Sequence, residues 1–246
     1  MMNKERFARV VEEMKREGLT QILIADDPAI FGLTGRIVNP MDRCGAIIVK
    51  DDGEVHAFMN NLFCFEPIDG MTMHYYADGE NPYKLIADEL APGKVGFDKN
   101  WASKHTISVL KERDDIIPVL GSEPIDGCKT HKDEAEKEAL RHAANINDMA
   151  VEFGIKHIDP SLDELTLSNM IEEFFEEHGA VQDMQLQYVC YGKNAAEPHH
   201  GAVAGEMLKE GDAVLFDLWA PINNYWCDMT RTVFYKSCSE EHRKVY

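Results

Sequence analysis

The sequence lacks several features that would place it in a common class of protein. Its 246 residues contain no apolar run of about 18 residues, so no segment is predicted to span a membrane. The N-terminus has no apolar core of the kind found in signal peptides. The six cysteines form no CxxC pair, which argues against a zinc knuckle and a disulfide framework. We therefore expect a soluble, cytoplasmic protein with scattered free thiols.

Positive charge is also scarce. The chain has 25 Lys and Arg against 44 Asp and Glu, which gives a formal net charge of −19 at pH 7. Because nucleic acids and anionic membranes both repel a negative protein, we expect neither as a partner. Hydrophobic residues make up 44% of the chain, which is enough for folded cores.

Helix and strand patterns alternate in the first half of the chain. Apolar residues recur at helical spacing within residues 3–17, and "QILIADD" follows as a short buried strand. The segment Asp51-Asp52-Gly53 separates two apolar runs and predicts a hairpin. This alternation continues to about residue 125 and predicts a compact α/β domain.

The pattern changes near the middle of the chain. Residues 130–157 predict a long charged helix, and the next helix is predicted to open with a capping box of Ser161 and Glu164. Strands follow in "MQLQYVCYG", "DAVLFDLWA" and "YWCDMTRTVFY". We therefore predict two domains, residues 1–127 and residues 128–246.

Two carboxylates in the last quarter of the chain lie in otherwise strand-like segments. Asp217 sits in "VLFDLWA", and Asp228 follows eleven residues later, beyond the predicted reversal "APINNY". If the two strands pair antiparallel, the carboxylates approach and repel each other. Divalent cations relieve this repulsion, and a pair of such ions makes a hydrolytic site that activates a water molecule.

Each of these residues, taken singly, has an ordinary structural explanation. A strand aspartate is commonly solvent-facing, and a lone histidine such as His199 is commonly structural. We expect Arg231, three residues after Asp228, to form an ion pair within the sheet. The spaced set of His199, Asp217 and Asp228 favours a chemical role over these separate explanations.

Several segments together resemble a known family. "NAAEPHHG", "VLFDLWAPINNYWCDMTRTVFY" and "SEEHRKVY" resemble successive signatures of the pita-bread metallopeptidases, in the Xaa-Pro dipeptidase (prolidase) and aminopeptidase P branch. The first half, with "FGLTG" at residues 31–35, resembles the creatinase-type N-terminal domain of that branch. The resemblance implies an α/β creatinase N-like domain followed by an α+β pita-bread (creatinase/aminopeptidase) domain, of which the sequence contains only the first half.

The resemblance also implies roles for the matching residues. Asp217 and Asp228 would ligate two divalent metal ions, with Asp228 bridging both. His199 would hydrogen-bond to the substrate and stabilise the transition state. His200 and Thr230 would bind substrate or support the site from behind. The metal is expected to be manganese, with cobalt, zinc and iron as alternatives.

The activity implied is that of a metal-dependent exopeptidase that hydrolyses the peptide bond before proline. Its substrates would be small peptides with proline at the second position, and the protein would form a homodimer. Two alternatives stay open. One is a metal-free creatinase-like hydrolase of C–N bonds, which the carboxylate pair disfavours; the other is a non-catalytic pita-bread binding module.

The sequence departs from the family pattern in three respects, one of which is Glu197 in place of the usual apolar residue before Pro-His. Trp219 stands where the family usually has glycine soon after its first metal aspartate, and we expect it to reshape the pocket wall. The family's other ligands, one His and two Glu, have no counterpart here, and no "HxxGHG" motif occurs. We therefore expect the sequence to be part of a longer protein and this segment alone to be inactive.

Overall fold

A six-stranded sheet organises the first of two units in the computed structural model, Met1–His131 and Lys132–Tyr246. The structure describes residues 3–181 and 187–246. In chain order, the first unit contains α1 (Lys4–Arg16), β1 (Gln21–Ile24), α2 (Asp27–Thr34), β2 (Ala46–Lys50), β3 (Val55–Asn60), a 3₁₀ turn (Asn61–Phe63), β4 (Thr72–Tyr76), α3 (Pro82–Glu89), β5 (Gly93–Phe97), α4 (Ser103–Glu112), β6 (Ile116–Leu120) and α5 (Ser122–Thr130).

The strands of this sheet run in the order β4-β3-β2-β1-β5-β6 and are buried on both faces at the centre. Ile22 and Ile24 of β1 pack in one core with Val10 of α1, whereas Leu23 packs in a second core with Ile86 of α3. Because alternate side chains of a strand point to opposite faces, each face of the sheet has its own apolar cover. The α/β architecture predicted for the first half is confirmed.

The hairpin predicted at Asp51-Asp52-Gly53 is also confirmed. Strands β2 and β3 pair antiparallel, and the Lys50 N–H donates to the Glu54 carbonyl at 2.9 Å. Gly53 has a φ of 93°, a left-handed conformation that glycine adopts without the steric cost of a side chain.

The second unit is built from helices on one side of an antiparallel sheet with the order β7-β8-β9. The strand predicted from residue 184 begins outside the described residues, and its described part is β7. In chain order the elements are α6 (Glu134–Lys156), α7 (Glu164–Glu177), β7 (Tyr188–Tyr191), a 3₁₀ turn (Gly192–Ala196), β8 (Ala213–Ile222), β9 (Tyr225–Phe234) and α8 (Glu240–Val245).

Strand β8 alternates between a buried face and a partly exposed face. Its buried side chains join the core formed with α6 and α7: Val214, Phe216, Leu218, Ala220 and Ile222. Helix α6 approaches this face closely, since a Cβ on Gly154 would lie 2.7 Å from the Phe216 ring. The opposite face carries Leu215, Asp217 and Trp219 and is left available for a site.

The start of α7 differs from the predicted capping box. Asp163 caps the helix by accepting a hydrogen bond from the Thr166 N–H at 2.8 Å, and Glu164 is fully buried. Ser161 instead donates to Asp159 at 2.6 Å, so its hydroxyl serves the preceding turn. The prediction of Ser161 as cap was wrong because a better acceptor lies two residues later, next to the first helical turn.

Helix α6 shows the amphipathic pattern expected of a charged surface helix. Ile146 and Ala150 are buried in the core, whereas Glu152 and Lys156 form an exposed ion pair at 2.7 Å. Its N-terminus carries a capping box, made by Asp133 and Glu136. Among the described residues, no helix combines the length and apolarity needed to cross a membrane.

Candidate active site

Asp217 and Asp228 lie on the same face of the second sheet. Strands β8 and β9 pair antiparallel, with Asp217 opposite Thr230 and Trp219 opposite Asp228. Residues opposite each other in a ladder share a face, and so do residues two apart along a strand. The two aspartates are therefore diagonal neighbours, and the antiparallel pairing predicted from the sequence is confirmed.

A two-residue turn fixes this register. Asn223 and Asn224 connect the strands with φ values of 52° and 66°. Two successive residues with positive φ are typical of the type I′ turn, whose twist matches that of the flanking strands. Asparagine tolerates this conformation better than most residues, so the predicted reversal has a local cause in the sequence.

The carboxylates open into a pocket of about 260 Å³. It is lined by five residues: Tyr188, His199, Asp217, Trp219 and Asp228. The structure thus brings together three of the predicted site residues, the His and both Asp. Trp219 lines the pocket, as predicted, and its ring lies edge-on to that of Tyr188 with centroids 4.6 Å apart.

Thr230 contacts the first of the two carboxylates directly. Its hydroxyl donates to Asp217 Oδ1 at 2.5 Å, across the β8–β9 pair. A hydrogen bond to one carboxylate oxygen fixes the orientation of the group and leaves acceptor capacity on the other oxygen. Thr230 is therefore placed to orient Asp217.

The two adjacent histidines face different surroundings. His199 has a φ of 56°, and its ring lies 5.8 Å from that of Tyr188 in the pocket lining. His200 is absent from that lining: its Nδ1 lies 3.4 Å from Glu197 Oε2 and its Nε2 lies 3.9 Å from Glu164 Oε2. The backbone at His199 is left-handed, and the side chains of His199 and His200 point into different surroundings.

Glu164 organises the segment that carries both histidines. The carboxylate is fully buried and accepts hydrogen bonds from the Tyr191 N–H at 2.6 Å, the Asn194 side-chain amide at 3.1 Å and the Val203 N–H at 3.2 Å. A buried carboxylate is costly unless such donors surround it. Glu164 thereby connects α7 to both ends of the loop around His199.

Sequence reasoning missed Glu164 as a buried residue and did not single out Tyr188. Glu164 shares a helix face with Leu167, Ile171 and Phe175, all fully buried, so its position on an apolar stripe was a usable signal. Tyr188 lies opposite Asp217 in the β7–β8 register, which no local pattern reveals.

Cys190 lies close to the site but is not suited to ionise. Its thiol donates to the His200 carbonyl at 3.2 Å. Burial, together with the negative charges of Glu164 and Asp217, raises the pKa of the Cys190 thiol to about 12. At neutral pH the group is therefore a protonated thiol and not the thiolate that attacks carbonyls or ligates metals.

Arg231 does not form the predicted ion pair with any residue in the described part of the chain. The side chain is exposed, and its Nη1 donates to the Thr230 carbonyl at 2.9 Å. Arg231 pairs with Phe216 in the ladder, on the core side of the sheet, but β9 is the edge strand. An edge position lets the long side chain reach water, so the guanidinium needs no buried partner.

The pocket contains the types of ligand that hard divalent cations prefer. It contains few of them. Asp217 and Asp228 supply carboxylate oxygens, the ligands that such ions prefer, and His199 adds an imidazole. Within residues 3–181 and 187–246, no three metal-binding side chains converge at this pocket. The residues present therefore fit part of a metal centre.

Comparison with known proteins covers nearly the whole chain. Residues 6–125 match the model of the creatinase/prolidase N-terminal domain, and residues 138–246 match that of metallopeptidase family M24. A Staphylococcus aureus protein that bears the name of an uncharacterized peptidase, SAR1786, is 26% identical over 253 residues. Its alignment covers 98% of this chain and 69% of the relative.

Solved structures show the same architecture. A prolidase from Thermococcus sibiricus is 28% identical with a TM-score of 0.87, and the match covers 100% of this chain and 69% of that one. A dipeptidase from Pyrococcus horikoshii has a TM-score of 0.85 at 24% identity, over 98% of this chain and 68% of that one. The chain thus spans about two thirds of the length of the relatives it matches.

Proposed function

Because the chain belongs to metallopeptidase family M24 and carries the creatinase-type N-terminal domain before its peptidase domain, we propose that it acts as a metal-dependent exopeptidase on the bond before proline. One observation carries this proposal: His199, Asp217 and Asp228 line a single pocket, although they come from a loop and two strands. The fold implied by the sequence resemblance is the fold of this family.

The carboxylates of Asp217 and Asp228 would hold the divalent ions. When bound, such ions supply Lewis-acid polarisation of the scissile carbonyl and an activated water. Thr230 keeps the Asp217 carboxylate in one orientation through its 2.5 Å hydrogen bond. His199 would donate a hydrogen bond to the carbonyl oxygen as negative charge develops there.

The substrate class rests on the relatives and on the pocket wall. The Thermococcus sibiricus structure is that of a prolidase, and a second match is an Xaa-Pro dipeptidase from Bacillus anthracis. Tyr188 and Trp219 give the pocket an aromatic side next to its carboxylates. An apolar pyrrolidine ring fits such a wall, and small peptides with proline at the second position are the proposed substrates.

Three further features belong to the same proposal. Oxygen donors such as Asp217 and Asp228 suit manganese, and cobalt, zinc or iron could replace it. A cytoplasmic location and a homodimer are proposed on the sequence resemblance. His200 is proposed to support the loop around His199 from behind, through its approach to Glu164.

The test uses Asp228→Asn in the protein at its full natural length. Asparagine keeps the size of the side chain but removes the charge, so we expect loss of at least one bound ion and of nearly all Xaa-Pro hydrolysis. Metal content and hydrolysis of an Xaa-Pro dipeptide would be measured together. The control is Asp148→Asn, an exposed carboxylate on α6. A variant at position 228 that keeps both metal and activity would refute the metallopeptidase proposal.

A further inference from the structure

Three potential metal ligands converge in the first unit. Each of His56, His74 and Glu89 offers one ligand atom, and these atoms all lie within 4.8 Å of one another. No other group of three His, Cys, Asp or Glu side chains meets this criterion in the part of the chain that the structure describes. The group uses no residue of the candidate active site.

The sheet places the two histidines side by side. Strands β3 and β4 pair parallel, with His56 opposite Thr72 and Phe58 opposite His74. His74 is two residues beyond Thr72, so both imidazoles stand on the same face of the sheet. Glu89 is the last residue of α3 and reaches the pair from the helix that covers this face.

The distances between the ligand atoms suit a small tetrahedral ion. His56 Nδ1 lies 3.0 Å from His74 Nε2 and 3.4 Å from Glu89 Oε2, and His74 Nε2 lies 3.9 Å from Glu89 Oε1. Zinc bonds of about 2.1 Å at tetrahedral angles put neighbouring ligand atoms roughly 3.4 Å apart. The two histidine nitrogens and the Glu89 carboxylate are therefore spaced much like ligands around one zinc ion, with Glu89 nearest to His56 through Oε2 and to His74 through Oε1.

Neighbouring side chains hold both rings in a ligating orientation. Glu54 Oε2 lies 3.6 Å from His56 Nε2, the ring nitrogen that faces away from the group. A carboxylate there favours a proton on Nε2 and leaves the Nδ1 lone pair directed at the other ligands. Phe58 stacks on the His74 ring, with centroids 4.6 Å apart and planes 11° apart.

Both histidine side chains are largely shielded from solvent, and that of His74 is 21% exposed. His56 is only 8% exposed, so little ordering is left to occur on binding.

We propose that His56, His74 and Glu89 bind one zinc ion, with a water molecule in the fourth position. The ion would join β3, β4 and the end of α3 and so stabilise the first unit. A competing explanation is a plain hydrogen bond between the two imidazoles, with Glu89 as a nearby acceptor. The two differ in whether zinc binds with defined stoichiometry.

The test measures zinc binding to the chain after the two carboxylates of the candidate active site have been replaced. In an Asp217→Asn/Asp228→Asn background, calorimetric titration with zinc is expected to show one equivalent. Adding Glu89→Gln or His74→Gln should weaken that binding by at least about tenfold, because each removes one of three ligands. The matched control is His131→Gln, an exposed histidine of the same unit.

Two further readouts accompany the titration. Cobalt in place of zinc should give the intense visible absorption of a tetrahedral site, and zinc should raise the melting temperature of the background chain by more than that of Glu89→Gln. Glu89 lies at a helix end with its side chain 31% exposed, so its variant keeps the test decisive even if His74→Gln fails to fold.

The proposal is overturned if the background chain binds no zinc, or if Glu89→Gln binds zinc as tightly as the His131→Gln control. The background variant also separates this proposal from the proposed peptidase activity. Loss of activity on substituting Asp217 and Asp228 leaves the zinc stoichiometry of the first unit unchanged, whereas loss of zinc binding at Glu89 says nothing about the peptidase site.

Discussion

Two side chains, a hydroxyl and a carboxylate, fix the positions of residues in the candidate active site. Thr230 donates to Asp217 from the neighbouring strand, and Glu164 accepts three hydrogen bonds from the segment around His199. Neither residue needs to touch a substrate to matter, because each orients a group that would. Such supporting contacts typically change metal affinity or activity by 10–100-fold, about 1.4–2.7 kcal/mol.

Thr230→Val removes the hydroxyl and keeps the shape of the side chain and its preference for strands. Because Asp217 loses the hydrogen bond that orients it, we expect metal affinity in the full-length protein to fall by about tenfold. Equilibrium dialysis with manganese would measure this, and Thr230→Ser should restore most of the affinity. Thr232→Val, on the same strand and face, serves as the control. Equal affinities for the variants at 230 and 232 would contradict this role.

At the scale of elements, the second unit depends on the close approach of α6 to β8. A Cβ at Gly154 would lie 2.7 Å from the Phe216 ring and 2.9 Å from Ile171 Cδ1. Contacts this short leave no room for a methyl group, so the helix, the strand and α7 would all have to move. The same strand presents Asp217 on its opposite face, so this packing also supports the site.

Gly154→Ala should therefore destabilise the second unit despite alanine's better helix propensity. Overpacking costs about 1–3 kcal/mol, and the improved propensity offsets about 1 kcal/mol of it. We expect a net loss of about 1 kcal/mol, measured by urea unfolding. Gly127→Ala in α5 is the matched control, because nothing lies within 4 Å of its added Cβ and a small gain is expected. A gain at position 154 as well would show that α6 can shift freely.

An ion pair connects two helices of the first unit. Asp26 caps α2 by accepting from the Ala29 N–H, and it also accepts from Lys129 of α5 at 2.7 Å. Burial alone would raise the pKa of Asp26, but hydrogen bonds from Lys129 and Asn100 outweigh it, so the pKa is lowered. A lowered pKa means that the stability contributed by Asp26 is present above the unfolded-state pKa, about 3.9, and is lost as pH falls.

Asp26→Asn tests this pH dependence, since asparagine caps helices as well as aspartate does. At pH 7 we expect the variant to be less stable than the wild type, because the charged pair with Lys129 is lost. At pH 3 the difference should be smaller, since the stability contributed by the charge declines once the pH falls below the unfolded-state pKa of about 3.9. Urea unfolding at both pH values measures the difference, with exposed Asp69→Asn as control. A difference of equal size at both pH values would rule out the ionic contribution.

At the scale of the whole molecule, the sequence resemblance implies a metal centre with five protein ligands. Residues 1–246 supply two of these ligands, Asp217 and Asp228. We expect residues 1–246 on their own to bind ions weakly at Asp217 and Asp228 and to lack Xaa-Pro hydrolysis, because two carboxylates hold a pair of ions poorly. An assay of the purified 246-residue chain in excess manganese measures this, beside a prolidase as positive control. Turnover by this chain alone would show that the ligands present suffice.

Local patterns in the sequence predicted much of this molecule. The Asn-Asn reversal between two strand-like segments indicated the antiparallel pairing through which Asp217 and Asp228 approach each other. The hairpin at Gly53 followed in the same way from turn chemistry. These features depend on residues close together in the chain, which is why periodicity and turn residues reveal them.

Contacts between distant segments could not be predicted in this way. Glu164 meets Val203 across 39 residues of chain, and His56 meets His74 only because β3 and β4 pair in one register. Ser161 and Asp163 are both residue types that cap helices, so local preference alone does not identify Asp163 as the cap of α7. Such choices depend on packing between elements, which outweighs local preference.

The turn at Asn223 and Asn224 also limits how this gene can change. Because side chains alternate along a strand, inserting or deleting a single codon within β9 before Asp228 would turn its carboxylate toward α6 and bring an apolar neighbour to the pocket. A change of two codons would restore the face but shift the residue opposite Asp228 by two positions along β8. Insertions and deletions among related sequences should therefore occur in the loops that flank the hairpin and be rare within the two ten-residue strands.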